Sequence, residues 1–379
     1  MKRITTIAVS LVLVISSLAF SEGGSPYDLQ KTFTVSPGGK LVVSVSAGDI
    51  HVSVWDKPQV EMTVQNIDDD ADRVQTSQDG NTIHVQYRPH GGWLGDNRDL
   101  RFNFYVPRQF SLDLSTSGGD VSVGGKITGT VTMSTSGGDL KIDDVDGIVN
   151  GRSSGGDITA HDVSDGADFS TAGGDLSVSH AGADLKVSTA GGEITVGSVV
   201  RNLDASTAGG DIKIDNVGGK LHATTSSGDV TIGKVGGSVS LSTAGGDITL
   251  VSGNGKISAN TSGGDITVSS AVGSADVMSS GGTIKVGLTP EGNDESRIES
   301  SGGDVYLYIP ASAKATIKVE VSGGGPENDI VSDFPVSLLD KSGYGYERAK
   351  VVLNGGGQEI SLHTSSGSVY IKKYYQSSR

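Results

Sequence analysis

The sequence predicts an all-β protein: a parallel β-solenoid, or β-helix, wound from one chain in 18-residue coils and flanked by β-rich N- and C-terminal caps. Three observations predict it. The 379 residues include 57 Gly, only 9 Pro and 5% aromatic residues, which argues against a thick-cored α/β enzyme and, without a Gly-X-Y period, against collagen. A turn phrase recurs, as in "STSGGDLKI", "STAGGDLSV", "STAGGEITV", "STAGGDIKI" and "STAGGDITL"; aligned on the residue after Gly-Gly it gives Asp139, Asp157, Asp175, Glu193, Asp211, Asp229, Asp247, Asp265 and Thr283, each 18 residues beyond the last. The residues one and three places after the acid are aliphatic and the one between is polar, as in Leu140-Lys141-Ile142 and Ile212-Lys213-Ile214. That is the period of a strand with one face buried.

An 18-residue period is too short for a helical hairpin or a propeller blade and fits one solenoid coil. Left-handed hexapeptide solenoids share the length but place an aliphatic residue every six, which these columns do not. The general preference for right-handed parallel crossovers favours a right-handed coil.

Residues 1–21 read as a signal peptide. Lys2 and Arg3 form a basic start, Ile7 to Leu18 an apolar stretch, and Ala19-Phe20-Ser21 a small-x-small cleavage pattern. The stretch is shorter than the ~20 residues a membrane span needs. Cleavage after Ser21 would leave no transmembrane segment and an extracytoplasmic chain, whether secreted, periplasmic or at the cell surface.

Residues 22–110 lack the register and are expected to form a β-rich cap over the first coil, whose edge would otherwise pair with other chains. Alternating strands occur at "KLVVSVSAGDIHVSVW", "VEMTVQ", "NTIHVQYR" and "LRFNFYV", and both tryptophans, Trp55 and Trp93, lie here. Residues 111–304 form the solenoid. A second strand per coil points Val131 and Met133, Leu185 and Val187, Leu221 and Ala223, and Val239 and Leu241 inward. Alternation then carries Thr135, Ser153, Thr171, Thr189, Thr207, Thr225, Thr243, Thr261 and Ser279 inward too. Buried hydroxyls need partners, and at the ~4.8 Å strand spacing each could bond its neighbours above and below. Gly-Gly is expected to supply backbone conformations that other residues avoid, and the acid to accept hydrogen bonds from turn amides. Roughly ten such coils would make a rod roughly 50 Å long. Residues 305–379 form a closing cap in which Ser365-Ser366-Gly367-Ser368 stands where Ser-Gly-Gly-Asp stood.

The run of "S-T-[AS]-G-G-D-[IL]-x-[VIL]" coils, the stretch "SVSAGDIHVSVWD" and the exit "LNGGGQEISLHTSSGSVYIKK" resemble the bacterial candidate-adhesin domain family of unknown function. The likeness covers nearly the whole chain after residue 21. It implies an extracytoplasmic β-solenoid and supplies no catalytic residues.

The acidic column is the feature with most functional reach. Like charges ~5 Å apart repel by on the order of 1 kcal/mol per neighbour in water. Hydrogen bonds from turn amides and nearby lysines such as Lys141 and Lys213 would offset this. A line of Ca²⁺ ions shared by Asp139, Asp157, Asp175, Glu193, Asp211, Asp229, Asp247 and Asp265 would do so as well. Calcium-binding nonapeptide rolls need Gly-Gly-x-Gly-x-Asp, a spacing this chain does not have.

Gly151-Arg152-Ser153-Ser154-Gly155 matches a nucleophile-elbow pattern, but Ser153 falls in the inward hydroxyl column. Gly228 to Lys234 nearly spells a phosphate loop, with Val235 in place of Ser or Thr. None of the seven histidines has ligand spacing to another, and there is no Cys.

The expected function is therefore a non-enzymatic, adhesin-like structural and interaction module whose partner is a surface protein or a polysaccharide. A net charge of −15 argues against nucleic acid. Contacts are expected from the aromatic loop around His90 and Trp93 and from the exposed rows of the solenoid. A polysaccharide lyase-like β-helix is the enzymatic alternative, disfavoured because Arg152, Arg201 and Arg297 are the arginines of the solenoid. An envelope sensor or scaffold is the third reading.

Overall fold

The structure, a computed structural model, describes residues 29–89, 99–323, 329–342 and 346–374. The leader and the loop from His90 to Trp93 lie outside the described residues. Apart from one 3₁₀ turn at Asp68–Arg73, every regular element described is a strand.

Two parallel ladders run the length of the molecule. In one, short strands such as Val131–Ser134, Val149–Arg152 and Ala167–Ser170 pair residue i with i+18: Val131 with Val149, Val149 with Ala167. In the other, longer strands such as Leu140–Asp146, Ile158–Val163 and Leu176–Ala181 do the same, Leu140 with Ile158 and Ile158 with Leu176. Each coil crosses from one ladder to the other at a tight turn. Neighbouring coils thus satisfy each other's backbone groups, and a coil alone could not.

Leu140, Ile142, Val149, Ile158, Leu185, Val187, Leu221 and Ala223 are all at most 2% exposed, as the alternation predicts. A further buried column escapes that rule: Val145, Val163, Ala181, Val199, Val217 and Val235, six residues after the acid. Pairing skips Asp143, so the chain bends there and burial resumes one residue out of phase. The aliphatic residue at this place in coil after coil was the available signal. Phe169 is fully buried beside Gly151, where an added Cβ would collide with its ring; the glycine makes room for the one aromatic of the central coils.

The ends are stacked out of chain order. Gly39–Val45 pairs with Phe110–Thr116 on one side and Thr82–Tyr87 on the other, and Asp49–Trp55 lies likewise between Val121–Thr128 and Arg101–Pro107. The segment expected to cap the first coil therefore supplies two further layers, the outermost from 82–107 and the next from 39–55. Antiparallel strands then cover the outer edges: Gln59–Gln65 pairs with Arg101–Pro107, Leu29–Thr34 with Gln59–Gln65, and Val74–Asp79 with Thr82–Tyr87.

The other end repeats the device. Gln358–Thr364 and Val369–Tyr374 stack on Ser296–Ser300 and Val305–Pro310, and the earlier segments Ala315–Val321 and Ile330–Ser332 pair with their far sides. Tyr346–Leu353 and Leu338–Ser342 add antiparallel cover. The stack is longer than the in-register repeats imply.

Candidate functional site

The Gly-Gly-Asp turns lie one above another along one edge of the stack, and three side-chain positions lock each to the next. The second glycine comes first. A Cβ added at Gly138, Gly156, Gly174, Gly192, Gly210 or Gly228 would overlap the carbonyl oxygen of the equivalent glycine one coil earlier. None of these glycines has a positive φ. The expectation that Gly-Gly serves unusual backbone angles is corrected: the second glycine is needed for space. The first position is looser, an added Cβ meeting its nearest atom at 3.1 Å at Gly302 and 3.8 Å at Gly137, and Ala47, Ser227 and Ser366 occupy it in three turns.

The inward hydroxyls follow. They are buried as expected, Thr135 at 6% and Ser153 at 8% exposure. They do not bond one another. Each donates to the carbonyl of the second glycine in the preceding coil, as Thr171 Oγ1 to Gly156 O (2.9 Å) and Thr207 Oγ1 to Gly192 O (3.0 Å). Each also accepts from the second glycine of its own turn, as Gly192 N to Thr189 Oγ1 (3.2 Å). Backbone groups left over by the turn are their partners instead. Ser153 belongs to this set, donating to Gly138 O at 2.9 Å, which identifies its nucleophile-like motif as turn structure.

The acids complete the lock. The amide of Asp157 donates to Asp139 Oδ1, that of Asp175 to Asp157 Oδ1, and that of Glu193 to Asp175 Oδ1, each at 2.8 Å. The pattern continues through Asp211, Asp229, Asp247 and Asp265, whose Oδ1 accepts from Thr283 N at 2.7 Å. It extends beyond the regular repeat at both ends, from Asp49, which accepts Asp120 N at 2.9 Å, to Asp304, which accepts Ser368 N at 2.8 Å. Sequence reasoning left Asp49 out because a single Gly-Asp in a segment of different register gave no periodic cue. Among the described residues, no group of three or more His, Cys, Asp or Glu side chains is arranged to hold a metal ion.

Glu193 interrupts the ladder. Its extra methylene carries the carboxylate away from Asp211 N and toward Lys213, whose Nζ lies 2.8 Å from Oε1, while Thr195 Oγ1 donates to the same oxygen at 3.2 Å. The hydrogen bond and charge of Glu193 raise the Lys213 pKa. Glu193→Asp is expected to restore the amide contact at the cost of an exposed ion pair worth little. The net gain should be about 0.5–1 kcal/mol of unfolding free energy, read by denaturant titration.

A shorter ladder of the same design crosses the opposite turns. Asn202 N donates to Asp184 Oδ1 at 3.0 Å and Lys220 N to Asn202 Oδ1 at 2.9 Å. Of the histidines, His51 and His180 bond serines of the adjacent coil, Ser122 (2.6 Å) and Ser198 (2.7 Å), through Nδ1. Half-buried aromatics and the exposed Tyr105 pair at the two ends. Trp55 stacks on Tyr105 at 5.3 Å and Tyr306 on Tyr370 at 4.4 Å, so one ring face of each is covered by its partner. Burial first, and the Asp304 carboxylate second, push the Tyr306 phenol up to about 12.

The profile of the Toastrack DUF4097 family matches residues 39–262, more than half of the chain, beginning on the strand that opens the out-of-order layer. The chain belongs to the Toastrack DUF4097 family. This Toastrack chain also aligns with two solved structures. One, described as a candidate cell adhesion protein from Clostridium sporogenes, is 9% identical over 91% of this chain and 99% of that one, with a TM-score of 0.17. The other, described as a candidate adhesin from Bacteroides fragilis, is 12% identical over 92% of this chain and 99% of that one, with a TM-score of 0.24. No curated protein matches the Toastrack chain. No helix among its described residues is long and apolar enough to cross a membrane.

Proposed function

We propose that this Toastrack chain is a non-enzymatic, adhesin-like interaction module that is exported and presents a stiff, repetitive surface to a partner outside the cytoplasm. The observation that supports it is a division of labour within each coil. The residues that repeat, Thr, the second Gly and Asp, lock coil to coil and face each other across the turn edge. The outward residues in the same register change from coil to coil: Asn150, Asp168, Lys186, Asp204 and His222 follow one another along the short-strand ladder. Uniform inward chemistry gives rigidity, and a varied outward row on a rigid support gives recognition at low entropic cost.

Export is tested by expressing the full chain in a bacterium and sequencing the product recovered outside the cytoplasm, which should begin at Glu22. Function is tested by incubating that product with soluble polysaccharides and following viscosity. An unchanged viscosity together with measurable binding is the expected result. A progressive fall would overturn the reading in favour of a lyase or hydrolase.

A further inference from the structure

A groove of about 810 Å³ runs over the outer surface of the short-strand ladder, spanning the successive coils from Ile148 to Ser238. One row along it is Asn150, Asp168, Lys186, Asp204 and His222, a single side chain from each coil. A second row, at the turn leading into each strand, is Asp184, Asn202 and Lys220, held by the amide ladder described above. Between them lie the strand-opening residues Ala167, Leu185, Leu203 and Leu221, whose side chains are buried in the core.

We infer that this groove binds an extended polysaccharide without net charge, laid parallel to the stack axis with its sugar units read by successive coils. The inference rests on the interaction-module reading and names its site and partner class. Three features select the occupant. The groove crosses the face of a ladder whose strands pair on both sides, in register, so a peptide cannot bind here by adding a strand. Both signs of charge are interspersed along it, Asp168, Asp184 and Asp204 with Lys186 and Lys220, so a polymer of uniform charge meets like charges within the groove. A chain of net charge −15 disfavours polyanions further. The lining also combines three carboxylate acceptors, two amides and two ammonium donors spread over successive coils, which is the complement of a ligand carrying repeated hydroxyls.

Gly166 offers a way to close the groove without disturbing the core. It lines the groove, and the nearest atom to a Cβ placed there is Asp184 O at 3.5 Å, an ordinary contact. The experiment is affinity electrophoresis of the full chain in gels containing dextran, laminarin or galactomannan, with alginate as the polyanion. At least one neutral polymer should retard the wild-type chain and alginate should not. Gly166→Tyr, and separately the surface pair Lys186→Glu with Asp204→Lys, should weaken that retardation at least tenfold while the thermal unfolding midpoint stays at the wild-type value. Retardation that survives in both variants overturns the groove but leaves the module reading standing. No retardation by any neutral polymer, with capture of a protein partner by the same chain, overturns the polysaccharide and again spares the module. Stronger retardation by alginate than by the neutral polymers overturns the inference through its charge argument.

Discussion

Gly246→Ala is expected to lower the unfolding midpoint of the purified chain by several degrees, and Gly245→Ser to leave it nearly unchanged. The two residues are adjacent in the same turn, so helix propensity, loop flexibility and surface charge do not distinguish them. Space does. A Cβ on Gly246 would overlap the carbonyl of Gly228 in the preceding coil, whereas one on Gly245 would meet Ser227 O at 3.5 Å. The carbonyl of Gly228 cannot retreat, because Thr243 Oγ1 donates to it at 2.9 Å. Overpacking at such a site costs on the order of 3 kcal/mol, which in a chain of this size is several degrees of midpoint. Differential scanning calorimetry of the two variants side by side decides the matter. Equal midpoints would mean that the turns can spread apart, and that glycine is retained there for its backbone freedom after all.

Thr243→Val should be the second large loss, and Thr243→Ser should recover most of it. Valine keeps the shape and removes the hydroxyl, leaving Gly228 O without its donor and Gly246 N without its acceptor at 3.3 Å. Thr243 is 5% exposed, so water cannot readily take over either contact. Two buried backbone groups left unpaired cost about 2–4 kcal/mol together. Serine already serves at Ser153 and Ser279, where it makes the same pair of contacts. Denaturant unfolding of wild type, Thr243→Val and Thr243→Ser gives the comparison. A valine variant as stable as wild type would show that the hydroxyl column is dispensable.

Periodicity made the central architecture readable. Strands one face buried announce themselves by alternation, and Leu140, Ile142, Val149 and Leu185 lie where alternation puts them. Val145 and its column did not, because the bend at Asp143 changes the phase of burial without changing the repeat length. The layers from 39–55 and 82–107 were hidden for a different reason. Strand pairing between segments far apart in sequence leaves no local spacing to read, and an end coil with a long insertion has no period at all. At the turns, residue types were enough to place Thr, Gly and Asp but not to pair them. Which atoms meet depends on how one coil sits over the next, a distance of a few tenths of an ångström that a sequence does not record. The groove lay beyond reach for the opposite reason: its residues vary from coil to coil, and variation carries no pattern.

The interleaved ends have a consequence for how the protein can come into being. Residues 358–374 are made after 315–332, yet they lie inside the stack, between 296–310 and 315–332. A solenoid in simple chain order could wind up progressively as it emerged from a ribosome or a translocation pore, each new coil settling on the finished ones. Here the layer from 358–374 cannot be laid until those later strands have arrived, and the layer from 315–332 must wait for it. Completion of this end of the rod thus waits for residues 358–374. A truncated copy would stop short with residues 315–332 lacking the strands they pair with and an unfinished edge exposed.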